Sequence, residues 1–219
     1  MKMTEPGLMK KILILAANPQ GTSRLRLDRE VRAIDEGLRR SHLHEQFCIE
    51  QRWASRPRDV QRALLDVEPQ IVHFCGHGEG KAGLVLEDET GQVKLVSTEA
   101  LSQLFELFAD RVECVLLNAC YAQVQADALV QHINYVIGMR QAIRDDLAIA
   151  FSVGFYKGLG EGQLIEIAFE SGCRAIQLEV DRNTMTARKL GSVGWTKNAD
   201  APVFLDYQLP VLKKRANSI

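Results

Sequence analysis

The sequence predicts an α/β fold, a mostly parallel sheet with helices on both faces. Short apolar runs recur along the chain, most of them followed by turn-forming residues. Between them lie segments with apolar residues at helical spacing. Alternation of strand and helix is the signature of parallel strands joined by crossover helices, because parallel neighbours cannot be linked by a tight turn.

The first strand is expected at residues 11–17 (KILILAA), ending in the turn Asn18-Pro19-Gln20-Gly21-Thr22. Residues 24–40 then place Leu27, Val31, Ile34 and Leu38 on one helical face. The unit recurs as a strand near 46–51, a helix after Pro57 carrying Val60, Leu64 and Val67, and a strand at 70–75. Residues 83–86 and 93–96, separated by the charged EDETGQ stretch, read as an antiparallel hairpin inserted after that strand. Ser97 or Thr98 can cap a helix to Ala109, with Leu101, Leu104 and Phe108 facing inward. A strand at 113–119, a helix at 124–132, a strand at 134–139 and helices at 145–160 and 161–178 complete the pattern. Residues 179–219, with Trp195 and the apolar run 202–207, form a C-terminal extension to a domain spanning 11–178.

With 219 residues, 46% hydrophobic and 25% charged, the chain has room for one domain and a substantial core. A net charge of −1 gives no long-range attraction to nucleic acid. The Arg-rich run 24–40 is interleaved with Asp28, Glu30, Asp35 and Glu36 and reads as a solvated helix face. No run is apolar and long enough for a signal peptide or a membrane span, so a cytoplasmic protein is expected, without membrane partners. Five cysteines without paired spacing read as reduced thiols.

In an open α/β sheet, ligands gather beyond the carboxyl ends of the strands. Two such ends carry reactive side chains: His73-Phe74-Cys75-Gly76-His77-Gly78 and Leu116-Leu117-Asn118-Ala119-Cys120-Tyr121. If these strands are neighbours, His77 and Cys120 share a rim. An imidazole there can take the thiol proton and later protonate a leaving amine. Gly78, without a side chain, can aim its backbone N–H at a developing oxyanion beside that of Cys120. His73 is expected in the core or behind the site.

The strings VHFCGHGE and VLLNACYA, with LAANPQGTSRLRLDREVRAIDE near the start and NYVIGMRQAI after the cysteine, resemble the CHAT domain, a caspase-like peptidase group related to separases. The resemblance implies a caspase-like three-layer sandwich. It also implies His77 as general base and acid, Cys120 as nucleophile, Gly78 and Cys120 as oxyanion donors, and no metal or cofactor. His77 precedes Cys120 by 43 residues, near the interval of about 50 seen in caspases. Asn118 and Ala122 stand where the caspase string has Gln and Gly, which favours CHAT and leaves substrate preference open. The family also implies a protein substrate, a regulatory or activating partner, and roles in bacterial defence or cell death.

Related peptidases bind substrate as an extended strand against the segment that here is 138–146. Arg140, which could favour an acidic P1 residue, and Gln141 are candidate contacts. Asp145 and Asp146 are candidates for a basic P1 residue, although first-turn acids of a helix are the preferred reading. The charged loop 87–92 or the tail could be cut autoproteolytically. Three competing patterns carry less weight. Gly78-Glu79-Gly80-Lys81-Ala82-Gly83 matches G-x-G-x-x-G, but a hairpin pattern follows where a dinucleotide site needs a helix. His73, Cys75 and His77 alternate as zinc ligands would, but in an apolar strand. The loop Asn18–Thr22 could hold a phosphate in a flavodoxin-like domain. A catalytically inert interaction module is the remaining alternative.

Overall fold

The computed structural model describes residues 9–189 and 206–216. Trp195 and most of the apolar run 202–207 lie outside them. In chain order the elements are β1 (Lys10–Ala16), α1 (Leu27–Arg39), β2 (Phe47–Arg52), α2 (Pro57–Val67) and β3 (Ile71–Cys75). There follow β4 (His77–Gly78), β5 (Leu84–Glu87), β6 (Val93–Val96), α3 (Thr98–Glu106), β7 (Cys114–Asn118) and α4 (Gln123–Leu129). The chain continues through β8 (Tyr135–Met139), α5 (Asp145–Gly160) and α6 (Ile165–Lys189) to β9 (Pro210–Lys214).

Six strands form the main sheet in the order β2-β1-β3-β7-β8-β9. The first five are mutually parallel, and β9 closes the edge antiparallel to β8. Alternate residues of the strands feed two cores, as the two-residue period requires. Leu13, Leu15, Val72, Phe74, Val115 and Leu117 pack under α2, α3 and α4. Ile12, Ile14, Ile71, Cys75, Leu116 and Ile137 pack under α1, α5 and α6. The three layers are therefore helix, sheet and helix.

Local chemistry sets the ends of the elements. Pro57 opens α2, where its missing N–H costs nothing, and Ser97 caps α3 by accepting from the Ala100 N–H at 3.2 Å. Helix α5 is buried almost all round, between α1 and α6. It can lie that close because Gly154 has no side chain: a Cβ there would stand 2.7 Å from Ser171 O and 2.9 Å from Gly172 Cα. Two elements extend the expected pattern. Helix α6 runs across residue 178 to Lys189, and β9 adds a strand to the sheet from the chain beyond it.

The expectation of a solvated face for the Arg-rich run needs one correction. Glu30 is only 3% exposed. It lies three residues after Leu27 and four before Ile34, so it shares the inward face of α1 with them.

Candidate active site

Strands β3 and β7 are neighbours in register, with Cys75 opposite Asn118. Both chains therefore leave the sheet side by side at its carboxyl edge. His77 does not continue β3, because the chain turns at Gly76 and His77 opens β4, which pairs with β5 in a separate three-stranded sheet β4-β5-β6. His77 and Cys120 line one open groove of about 640 Å³, together with Gly78, Glu79, Tyr121 and Arg140.

The imidazole of His77 is held through one nitrogen: Nε2 lies 2.9 Å from the carbonyl oxygen of Ser23, in the loop after β1. A carbonyl can only accept, so Nε2 carries the hydrogen and the neutral ring keeps its lone pair on Nδ1. Cys120 is half-buried, its Sγ 3.9 Å from Ile143 O. The next residue, Tyr121, has φ +56, a left-handed conformation that costs a non-glycine residue about 1–3 kcal/mol. Its N–H donates to Gln141 O at 3.3 Å, which ties the cysteine's turn to the loop after β8.

Gly78 faces the cysteine's turn. A Cβ there would come 2.3 Å from Cys120 O, so no other residue fits without moving that backbone. Glu79 N–H donates to Gly83 O, just past the β4–β5 ladder. Backbone N–H groups alternate in direction along a strand, so that of Gly78, one residue earlier, points away from β5.

The structure separates the remaining candidates. Arg140 lines the groove, and Gln141 borders it through its carbonyl. Asp145 and Asp146 begin α5 and are not among the groove residues. Asp145 accepts from Arg26 Nε at 2.5 Å, and Asp146 from Arg144 Nη2 at 2.6 Å. The stretch Gly78–Gly83 leads into β5, so the helix a pyrophosphate site needs is not there. In the loop Asn18–Thr22, the Asn18 N–H is already donated to the Glu87 carboxylate at 3.0 Å.

Behind the site lies a buried polar cluster that sequence reading only half found. His73, fully buried, stacks on Tyr156 with ring centroids 5.6 Å apart, and its Nε2 stands 3.3 Å from Glu30 Oε1. Burial pushes the Glu30 carboxyl up. The nearby His73 ring, with hydrogen bonds from Ser152 and Asn118, outweighs that and holds it below its ordinary value. Donor atoms of Glu30, His73 and Cys75 lie within 4.8 Å of one another, a spacing a metal could use. Glu30 Oε1 already accepts from Asn118 and Ser152 and Cys75 Sγ faces Leu15 O at 3.8 Å, while neither ring nitrogen of His73 makes a hydrogen bond.

Three comparisons with known proteins bear on this geometry. The family model described as "CHAT domain" matches residues 14–177. The chain belongs to the CHAT-domain family. A Roc-COR-CHAT protease from an unknown prokaryotic organism is 22% identical over 77% of this chain and 16% of its own length. A probable protease of Gillisia limnaea is 26% identical over 74% of this chain and 29% of its own length. The CHAT chain thus spans less than a third of either curated relative. Among solved structures, a secreted C11 cysteine protease from Bacteroides thetaiotaomicron, in complex with an irreversible peptide inhibitor, superposes with TM-score 0.58 at 15% identity. It covers 75% of this chain and 57% of its own, and shows that the caspase-like α/β sandwich is the fold present here. No helix among the described residues is long and apolar enough to cross a membrane.

Proposed function

We propose that this CHAT domain is a cysteine endopeptidase acting through His77 and Cys120. The observation that carries the reading is their convergence in one groove, from the ends of adjacent strands. The Ser23 contact supports it by leaving Nδ1 of His77 as the ring's proton acceptor.

In this reading the Cys120 thiol passes its proton to His77 Nδ1 and the thiolate attacks the scissile carbonyl carbon. The N–H groups of Gly78 and Cys120 receive the charge that develops on the carbonyl oxygen. Collapse of the adduct expels the amine, which takes the proton from His77, and leaves an acyl-enzyme at Cys120. Water, deprotonated by His77, then releases the acid and restores the thiol. No metal or cofactor enters any of these steps. An extended substrate strand lies along Arg140 and Gln141. The pairing of Asp145 and Asp146 with arginines at the start of α5 favours a helix-initiating role for them over P1 recognition.

All five cysteines are unpaired, which fits a reducing compartment, and we place the protein in the cytoplasm. Because both curated relatives are several times longer, a regulatory or activating partner in a bacterial defence or cell-death response belongs to the same proposal. The deciding experiment is digestion of a diverse peptide library by the protein beside Cys120→Ala. Cleavage lost in the variant supports the reading and reports the P1 preference. Equal cleavage by both proteins would sink it.

A further inference from the structure

A buried charge lies beneath the end of β7, two residues before Cys120. Asn118, 5% exposed, is the last residue of β7, and its Nδ2 donates to Glu30 Oε1 at 2.6 Å. The same amide nitrogen lies 3.2 Å from Ala148 O and 3.1 Å from Ser152 Oγ. Ser152 in turn donates to Glu30 Oε1 at 2.7 Å. One carboxylate oxygen thus gathers α1, β7 and α5.

Packing alone would not call for a charge here, since apolar groups can join three elements without the cost of dehydrating a carboxylate. What a charge-assisted hydrogen bond adds is direction. It fixes the amide plane of Asn118 and, two residues on, the heading of Cys120. The left-handed Tyr121 that follows would relax if the strand end were free to turn.

We infer that Glu30 and Asn118 are a positioning pair that aims Cys120 into the groove. The inference rests on Cys120 being the nucleophile. Neither residue is among those lining the groove, so their effect passes through the backbone of 118–120.

The test compares Glu30→Gln, which keeps shape and an acceptor oxygen but removes the charge, with Asn118→Ala and the double variant. Tyr156→Phe, which removes an unpartnered buried hydroxyl from the same layer, is the control. Each single variant should lower kcat about 10- to 100-fold while leaving KM within about threefold, since the loss falls on the aligned nucleophile. The double variant should be no worse than the poorer single by more than about threefold, the non-additivity expected of one device. Hydrogen exchange in 118–122 should quicken at least about tenfold, with β1 and β3 unchanged, as for a local opening. The control should match the wild type.

A kcat within about threefold of wild type would overturn the pair, as would protection lost across the whole sheet. Should Asn118→Ala not fold, Asn118→Ser takes its place, and a set in which no variant folds would assign the pair to the fold itself. Exchange needs no turnover. A wild-type chain that cleaves nothing would count against the peptidase reading, while exchange in 118–122 still decides whether the pair holds that segment.

Discussion

The two rims of the sheet make an instructive contrast. Each carries a cavity of several hundred Å³: the groove at the carboxyl ends, and a cleft of about 500 Å³ at the amino ends lined by Lys10, Leu43, Phe47, Glu113, Tyr135 and Glu166. In the lower cleft the polar groups satisfy one another. Lys10 meets Glu113 at 2.7 Å, and Glu166 takes both Lys214 at 2.6 Å and the Tyr135 hydroxyl at 3.2 Å. At the upper rim His77 is fixed through Nε2, and Cys120 touches one carbonyl at long range. Polar groups that neutralise each other glue a structure together. Groups held through one atom remain available for chemistry.

The most severe way to break this contrast is Cys120→Ala or His77→Ala. Either should reduce peptide cleavage at least about 1,000-fold in a kcat/KM assay, because nucleophile and base act as a unit. Residual activity within tenfold of wild type would move the chemistry elsewhere. Next comes Gly78→Ala, whose added carbon meets Cys120 O at 2.3 Å. It should cost about 100- to 1,000-fold in kcat, because backbone that moves to admit the carbon takes the oxyanion donors out of place. Preserved kcat would mean that the close approach of Gly78 to the turn at Cys120 is not needed for cleavage.

Thiol labelling sharpens the comparison at the level of single atoms. Burial pushes Cys75 and Cys114 well up and Cys173 up to about 12. These three should resist iodoacetamide at neutral pH, since the thiolate is the species that reacts. Cys120, half-buried in the groove, should be modified ahead of all three by peptide mapping. Labelling of Cys75 at the same rate would show that the layer behind the site opens readily.

Acid titration probes that layer as well. The Glu30 carboxyl is held below its unfolded value, so the unfolded chain binds more protons in the interval between the two. Its contribution is full above about pH 4.3, the ordinary carboxylate value, and is lost as pH falls through the lower folded value. Chemical denaturation below pH 4 should therefore show a flatter pH slope for Glu30→Gln than for wild type. The smallest effect belongs to the lower rim. Lys10→Met should change stability by less than about 1 kcal/mol and leave cleavage rates alone, as expected for a half-exposed ion pair.

Much of this architecture was legible in the sequence. The helix read at 145–160 matches α5 residue for residue, and β1 and β3 fall within a residue of their expected ends, because long periodic segments signal strongly. Strand β4 was not legible, since two residues carry no period, and its pairing with β5 exists only in three dimensions. Glu30 was hidden by its neighbours: among Arg24, Asp28, Arg29 and Arg32 its charge looks like one more solvated group. Its spacing from Leu27 and Ile34 was the available signal. The Ser23 carbonyl that holds His77 could not be read at all, because a backbone atom has no sequence mark. Strand β9, begun by a proline and lying at the sheet edge, fits where proline is tolerated, but only the register with β8 reveals its place.

That edge strand has a consequence in time. Arg140 N–H bonds to Leu209 O just before β9 begins, so this wall of the groove is secured by the last strand of the sheet to leave the ribosome. Strands β3 and β7, which lead to His77 and Cys120, can pair while synthesis is still under way. The wall beside them waits for Leu209, far down the chain, and so is completed after the other sides of the groove.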